Sequence, residues 1–273
     1  MQQTFFSIIV VSLNPGQRLK KTLDSIKRQS FTDYEVIVKD GGSKDGSLQT
    51  LQEEGYFDDF PKSLVIEKSD QSIYDAMNQA LAEISGKYVQ FLNCGDSFYG
   101  NDVLSSVFTF IKEQKEETPA IYYGSQYNEK QSCIVASAPQ MNDFVCYRNV
   151  PCHQVCFYDS RLFAKRGYLT EYTVRADYEH FLYCFYEEKA KTFCMPHVIC
   201  FYEGGGYSET AKNRKISARQ HREITKKYMG SKALCYRLIM LLTLAPLRTK
   251  LSQSKYFSHF YNAIKTTIYK KRR

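Results

Sequence analysis

The stretch YVQFLNCGDSF, residues 88–98, predicts the fold of this chain and gives the first candidate for a functional residue. Tyr88 to Leu92 has the composition of a buried strand, and Asn93 to Asp96 form a turn that ends it and presents a carboxylate. In a sheet built from alternating strands and helices, ligands bind at the carboxyl ends of the strands. Asp96 is therefore a candidate ligand-binding residue. The alternative from this stretch alone is that Asp96 caps the helix near Asn101 or holds the turn.

Three further units of strand and turn precede this stretch, with helical patterns between them. The predicted strands are Phe6–Leu13, Tyr34–Val38 and Leu64–Glu67. Apolar residues at helical spacing follow the first and third strands, at Leu19, Leu23 and Ile26 and at Ile73, Met77, Leu81 and Ile84. Alternating strands and helices in one short region are typical of an α/β fold with a mostly parallel, covered sheet.

The second strand leads into a turn rich in glycine and serine, KDGGSKDGS at residues 39–47. These residues favour a tight turn into a helix N-terminus, where backbone N–H groups are left to face an anion. Asp40 follows the strand and has the chemistry to accept a hydrogen bond from a nucleobase or a ribose hydroxyl. The alternative is a turn aspartate with a structural role.

Length and composition predict one sizeable core, because the chain has 273 residues of which 43% are hydrophobic. We expect no signal peptide, since no charged segment or small-residue cleavage site marks the N-terminus. The nine cysteines are odd in number and scattered without a zinc-type spacing. They indicate free thiols in a reducing cytoplasm.

The net charge of +8 comes from the end of the chain. Residues 1–223 carry 25 of the 37 basic residues and all 29 acidic residues, a net charge of −4, and the last 50 residues carry the other 12 basic residues. Residues 233–247 are apolar but contain Arg237 and Pro246, so they fall short of the roughly 20 residues that a transmembrane helix needs.

The last part of the chain predicts a basic amphipathic helix. Its apolar face consists of Phe257, Phe260, Tyr261, Ile264 and Ile268. Such a helix is suited to the surface of an anionic membrane, and the alternative is that it packs on the globular part of the chain. A basic nucleic-acid-binding protein is the less favoured alternative. We expect no nucleic-acid partner, because no known binding module is present and the acidic first part would repel a phosphate backbone.

Four segments in a fixed order resemble a known family. SIIVVSLN, VIVKDGGSKDGS, SDQSIYDAMNQAL and YVQFLNCGDSF look like family 2 glycosyltransferases of the GT-A fold, and in particular like bacterial polysaccharide enzymes of the colanic-acid fucosyltransferase type. The resemblance continues through PCHQVCFY, RADYEHFL and FYEGGGYSE, and so covers about residues 5–210.

The resemblance implies a domain organisation and an activity. It implies a GT-A domain over residues 1–230, with a nucleotide-binding half at about 1–125 and an acceptor-binding half at about 126–230, followed by a membrane-associating extension at 231–273. The implied reaction moves a sugar, with inversion, from a nucleotide-diphosphate sugar, UDP-linked or GDP-linked, to a hydroxyl of a lipid-linked oligosaccharide. This reaction belongs to capsule, exopolysaccharide or O-antigen synthesis at the cytoplasmic, inner face of a bacterial plasma membrane.

The resemblance also implies donor and metal residues. Asp40 matches the residue that contacts the nucleotide, and Asp96 matches the last acid of a DxD-type motif that reaches Mn²⁺ or Mg²⁺. Where many relatives carry acids, this chain has Gly41, Asn93 and Gly95, which leaves Asp96 as the one carboxylate of the motif. The other expected donor contacts are Leu13, Asn14, Gly42, Ser43, Asp70, Asp75, Asn78, Asn93 and Gly95.

Asp177 matches the general base of these transferases, which removes the proton of the acceptor hydroxyl, and Glu179 is the fallback. Without the resemblance, Asp177 would be an ordinary helix N-cap. His153 and Gln154 match an element expected beside the sugar or the acceptor, and the alternative for His153 is a hydrogen-bonding core residue. Gly205 belongs to a glycine-rich loop expected near the donor, and a plain flexible turn is the alternative.

A second function is compatible with the same motifs. The reduced acidic motif would also suit a protein that binds nucleotide sugars without catalysis. The donor sugar, the acceptor, the linkage and the oligomeric state are not specified by the sequence.

Overall fold

The computed structural model describes residues 4–204 and 210–243, together with residues 263, 264, 267 and 268. The strands are Phe6–Ser12 (β1), Tyr34–Asp40 (β2), Ser63–Glu67 (β3), Tyr88–Phe91 (β4), Ser97–Phe98 (β5), Ala120–Asn128 (β6), Cys133–Val135 (β7), Cys156–Asp159 (β8) and Lys191–Tyr202 (β9). The α-helices are Gln17–Lys27 (α1), Ser47–Glu53 (α2), Ile73–Leu81 (α3), Val103–Gln114 (α4), Asp143–Arg148 (α5), Ala176–Tyr186 (α6), Ala211–Met229 (α7) and Lys232–Leu242 (α8).

The first four strands form the parallel part of the sheet, as the sequence predicts. β1 pairs in parallel with β2 and with β4, and β3 pairs in parallel with β2. All seven residues of β1 are buried, since the sheet is covered on both faces. Ile8 and Val10 pack into one core cluster, whereas Ile9 and Val11 pack into a second cluster that includes Met77 of α3. This alternation follows from the period of two in a strand.

The second half extends the sheet with mixed pairings. β8 lies antiparallel to β4 and to β6, and β9 pairs in parallel with β6 over a long register that contains bulges. β6 runs for nine residues and β9 for twelve, so these two form the longest pairing of the second half. The short strand β5 follows the Asp96 turn directly and pairs antiparallel with β9, which brings the end of β9 beside this turn.

Helix α6 is held to α7 by a buried cluster of charges around Glu179. Its carboxylate is fully buried and accepts hydrogen bonds from both Nη atoms of Arg166, at 3.0 and 3.1 Å, from Lys227 Nζ at 2.8 Å and from the Tyr228 hydroxyl. The Arg166 guanidinium also stacks over the Tyr183 ring, 3.8 Å from its centroid. A buried carboxylate is tolerated only with such partners, so the cluster fixes α6 relative to α7.

The end of the described chain exposes apolar residues. No side chain of α8 is buried, and Leu234, Leu238 and Leu241 are exposed. Within the part of the chain that the structure describes, none of the helices combines the length and the apolar character needed to cross a bilayer. The predicted positions Phe257, Phe260 and Tyr261 lie outside the described residues, and Ile264 and Ile268 are exposed.

Replacement of Glu179 by glutamine is expected to destabilise the protein by about 2 to 3 kcal/mol, because Arg166 and Lys227 would keep their charges next to a neutral amide. Unfolding in denaturant, followed by circular dichroism, measures this difference. Glu187→Gln makes the same chemical change at an exposed position in the same region and is expected to stay within about 0.5 kcal/mol of the wild type. Equal stability of the two variants would contradict the role of the cluster.

Candidate active site

A cavity of about 610 Å³ opens at the carboxyl ends of β1 and β4, the edge at which such sheets bind ligands. Seven of the residues predicted from the sequence line it: Leu13, Asn14, Asn93, Asp96, His153, Gln154 and Asp177. They come from the β1 and β4 turns, from the short helical turn His153–Val155 and from the start of α6. The fold therefore brings together segments that are as far as 160 residues apart in the chain.

Asp177 lies in the first turn of α6 with both carboxylate oxygens hydrogen-bonded. The Tyr74 hydroxyl donates to Oδ1 at 2.9 Å, and His153 Nδ1 lies 3.0 Å from Oδ2. Burial alone would raise the pKa of this carboxyl. The hydrogen bond and charge of His153, together with the Tyr74 hydrogen bond, outweigh burial and lower the pKa below its usual value. The side chain is 25% exposed, so an ionised Asp177 is accessible from the cavity.

His153 connects Asp177 to the Asp96 turn. Its Nε2 lies 3.1 Å from Asn93 Oδ1, on the side of the ring opposite to Asp177. An ionised carboxylate only accepts hydrogen bonds, so His153 Nδ1 carries the proton of the contact with Asp177. The ring therefore links the start of α6 to the turn that carries Asp96.

Asp96 lies in the same cavity in a different environment. It is 5% exposed, and its carboxylate accepts from Gln154 Nε2 at 3.0 Å and from the backbone N–H of Glu203 at 2.9 Å. Burial raises the pKa of this carboxyl, because neutral donors offset desolvation only in part. No lysine or arginine among the described residues forms an ion pair with Asp96, so its negative charge has no such partner in this structure.

Asp40 has a structural role at the next turn. Its carboxylate accepts from the backbone N–H groups of Gly42, at 2.9 Å, and Ser43, at 2.6 Å, and from the hydroxyls of Ser43 and Ser12. The prediction that the turn leaves backbone N–H groups facing an anion is wrong for these residues, because the Asp40 carboxylate occupies them. Asp40 links the end of β1 to the turn after β2 and does not line the cavity.

Four other predicted residues have partners outside the cavity. Asp70 forms an ion pair with the buried Lys39 at 3.1 Å, and Asp75 accepts from Gln71 N at the start of α3. Asn78 bridges to the loop before α6 through both Tyr168 N and Tyr168 O. Glu179 is enclosed in the α6 and α7 charge cluster, which makes it unsuitable as the alternative base. The donor and acceptor contacts predicted for these residues stay predictions, and in this structure each side chain is bonded to the scaffold.

Two further predicted positions are glycines. Gly95 donates its N–H to Thr22 Oγ1 at 2.8 Å and adopts φ +103°, a conformation that L side chains rarely adopt. Gly205 lies outside the described residues.

The comparisons with known proteins agree with this geometry. The family model described as "Glycosyl transferase family 2" matches residues 7–152. A PGL/p-HBAD biosynthesis glycosyltransferase of Mycobacterium bovis is 33% identical over 222 residues, covering 80% of this chain and 85% of that protein. The chain is a family 2 glycosyltransferase. A GalNAc(5)-diNAcBac-PP-undecaprenol beta-1,3-glucosyltransferase of Campylobacter jejuni is 30% identical over 125 residues, which cover 46% of this chain and 39% of that protein.

Solved structures show that this glycosyltransferase has the GT-A fold. The mannosyltransferase PcManGT from Pyrobaculum calidifontis, in complex with GDP-Man and Mn²⁺, superposes with a TM-score of 0.61 at 14% identity and covers 96% of this chain and 85% of that chain. TarS 1-349 of S. aureus, in complex with UDP-GlcNAc, gives 0.61 at 17% identity and covers 82% and 67%.

Three site residues of the transferase had no individual signal in its sequence. Tyr74 lies on α3 beside Asp75, and its hydroxyl became a candidate only when the fold placed it on Asp177. Arg18 and Glu203 line the cavity and form an ion pair across 185 residues of sequence. A contact of that separation is set by the pairing of β5 with β9, which the sequence pattern did not predict.

Loss of the His153 side chain is expected to raise the pKa of Asp177, since a donor to the ionised form is removed while burial remains. The pH dependence of the ¹³C shift of the Asp177 carboxyl carbon measures this in His153→Ala and in wild type. Tyr74→Phe removes the weaker donor and should raise the pKa less.

The stability that ionised Asp177 contributes is present above the ordinary aspartate pKa and is lost as the pH falls through its lowered pKa. Both variants should therefore lose less stability on acidification. An unchanged titration in both variants would contradict this assignment.

Proposed function

We propose that this glycosyltransferase moves a sugar, with inversion, from a nucleoside-diphosphate donor to a hydroxyl of a lipid-linked saccharide. One observation carries the proposal: an ionised carboxylate, Asp177, and a buried carboxylate that has no cation partner in the described chain, Asp96, line the same cavity. The first is suited to accept a proton. The second is suited to bind a cation.

Asp177 acts as the general base. As the acceptor hydroxyl attacks the anomeric carbon from the face opposite the diphosphate, its proton passes to a carboxylate oxygen of Asp177 and the bond between the anomeric carbon and the diphosphate oxygen breaks. The donors Tyr74 and His153 keep the carboxylate ionised and oriented. A weakly basic carboxylate is sufficient, because the hydroxyl becomes acidic as its oxygen forms the new bond.

Asp96 is the residue that would hold Mn²⁺ or Mg²⁺. The donor set fits such a cation in one respect, because Asp96 is a buried oxygen ligand that forms no ion pair with a lysine or arginine among the described residues. The described residues contain no cluster of three His, Cys, Asp or Glu ligands. When bound, such a cation would neutralise the charge that develops on the diphosphate leaving group. The Mn²⁺ in the PcManGT complex supports this proposal by analogy of fold.

The β1 side of the cavity would hold the nucleoside. Leu13 and Asn14 line the cavity there, and Asn14 is linked to the Asp40 turn, because its N–H donates to Ser43 Oγ and its side-chain oxygen accepts from Lys44 N. The UDP-GlcNAc complex of TarS and the GDP-Man complex of PcManGT make UDP-linked and GDP-linked sugars the donors to test first.

The acceptor half of the site would lie near His153 and Gln154. The polysaccharide pathway that the motifs suggest, in capsule, exopolysaccharide or O-antigen synthesis, is part of this proposal. The undecaprenol-linked substrate in the name of the Campylobacter relative supports a lipid-linked acceptor.

Helix α8 would place the transferase at the inner face of the bacterial plasma membrane. Leu234, Leu238 and Leu241 recur at the spacing of one helical face and are exposed, and no acidic residue follows Glu223 in the chain. An exposed apolar face on a basic segment is suited to an anionic lipid surface. Residues 231–273 would then be a membrane-associating extension of the transferase domain.

Catalysis by Asp177 is expected to separate from nucleotide binding. Wild type should bind UDP or GDP by calorimetry with Mn²⁺ and more weakly with a chelator. Asp177→Asn should retain that affinity and reduce sugar transfer to a bacterial membrane lipid extract by about a hundredfold or more, because the proton acceptor is lost.

Asp58→Asn is the control, since it makes the same change at an exposed position outside the cavity. If wild type and Asp177→Asn both bound the nucleotide and neither transferred the sugar, the non-catalytic alternative would be favoured. Failure of wild type to bind any nucleoside diphosphate would contradict the proposal.

Charged residues on the apolar face of α8 are expected to weaken membrane binding. Leu238→Glu with Leu241→Glu should lower partition onto vesicles of phosphatidylglycerol and phosphatidylcholine by about tenfold or more, since each buried leucine contributes roughly 1.5 to 3 kcal/mol. Leu64→Glu, on the edge strand β3, is the matched control and should bind like wild type. Cosedimentation measures the difference, and equal binding of all three proteins would contradict a role for α8.

A further inference from the structure

An ion pair at the rim of the catalytic cavity has no role in the mechanism above. Arg18 Nη2 and Glu203 Oε2 lie 2.7 Å apart, and both residues line the cavity. Arg18 belongs to the first turn of α1, and Glu203 follows the end of β9. The pair therefore joins the β1 side of the cavity, where the nucleoside would lie, to the β9 side.

The pair lies directly over the turn that carries Asp96. A Cβ atom built on Gly95 would be 2.6 Å from Arg18 Nη2 and 2.6 Å from Glu203 Oε2. Because Gly95 has no side chain, the Arg18 guanidinium can occupy this space. Arg18 therefore lies beside Gly95, the residue that precedes Asp96 in the turn.

The charges that line the cavity make Arg18 the candidate residue for binding an anionic group. Asp96, Asp177 and Glu203 are acidic, and among the described residues that line the cavity Arg18 is the one arginine or lysine. A nucleoside diphosphate carries several negative charges next to these acids. Its binding there requires positive charge from the protein in addition to any metal ion.

The existing partner of Arg18 is weakly held. The Arg18 side chain is 56% exposed and that of Glu203 is 34% exposed, and ion pairs with this exposure contribute little to stability because solvent screens them. A guanidinium donates two parallel hydrogen bonds to phosphate oxygens, and these charge-assisted bonds are among the stronger ones in proteins. Exchange of Glu203 for a diphosphate is therefore favourable for Arg18.

We propose that Arg18 binds the diphosphate of the donor and that Glu203 occupies Arg18 until the donor arrives. Donor binding then breaks the ion pair between Arg18 and Glu203. This inference rests on the proposed function, since it requires a nucleoside diphosphate in the cavity. It assigns recognition of the phosphates to a residue of α1, outside the turn that carries Asp96.

Calorimetry with the full-length protein and Mn²⁺ tests the role of Arg18. The probes are UDP and GDP, whichever binds wild type, and the matching nucleoside, uridine or guanosine. Arg18→Ala should bind the nucleoside diphosphate about tenfold more weakly and the nucleoside unchanged. Lys21→Ala is the matched control, because Lys21 lies on the same helix in an exposed ion pair with Glu129 and does not line the cavity.

Glu203→Gln tests whether the Glu203 carboxylate and the diphosphate compete for Arg18. Removal of the competing carboxylate should tighten diphosphate binding several-fold, and this gain should disappear when Arg18→Ala is present as well. A purely structural ion pair predicts the opposite, since both single variants would then weaken binding by the same factor. Thermal unfolding of each variant confirms that the compared proteins are folded.

The remaining outcomes separate this inference from the proposed function. The role of Arg18 would be overturned if Arg18→Ala bound the nucleoside diphosphate as tightly as wild type does, or if it lost affinity equally for the diphosphate and the nucleoside. Either result would leave the proposed transferase site intact. Weaker binding by Glu203→Gln that is seen only with Mn²⁺ would make Glu203 a metal ligand and overturn the competition. Absence of nucleotide binding in wild type would instead overturn the proposed function.

Discussion

The site depends on the cost of burying the carboxylate of Asp177, which requires donors on both of its oxygens. Tyr74 of α3 and His153 of the turn after Pro151 supply them, and His153 is in turn bonded to Asn93 after β4. One anion therefore holds three separate segments in register. Because the donors stabilise the ionised form, the same contacts that position Asp177 also lower its pKa.

Two adjacent residues give the two acids of the cavity opposite properties. His153 places a ring nitrogen against Asp177, whereas Gln154 donates a side-chain amide hydrogen bond to Asp96. The effect of burial is outweighed at Asp177 and offset only in part at Asp96, so the pKa of Asp177 is lowered and that of Asp96 is raised. Divergent pKa values within one cavity are typical of a division of chemical roles, here a proton acceptor and a cation ligand.

Much of the fold was predictable because its signals are local. The mostly apolar segments of β1, β2 and β4 identify buried strands, and the stripe from Ile73 to Leu81 identifies α3. The short strands β5 and β7 could not be found in this way. Two or three residues carry no periodicity, and their pairing partners lie elsewhere in the chain.

The sequence by itself determined the four parallel strands, the family motifs and the position of Asp96 and Asp177 at the starts or ends of regular elements, since these depend on neighbours within a few residues. Only the tertiary structure decided which polar residues share a cavity. Asp70, Asp75, Asn78 and Glu179 resemble site residues in sequence, yet each has its hydrogen bonds in the scaffold. Conversely, Tyr74, Arg18 and Glu203 joined the site through contacts that span 100 residues or more. The physical reason is that burial and hydrogen-bond partners are set by the packing of distant segments, which local sequence patterns do not specify.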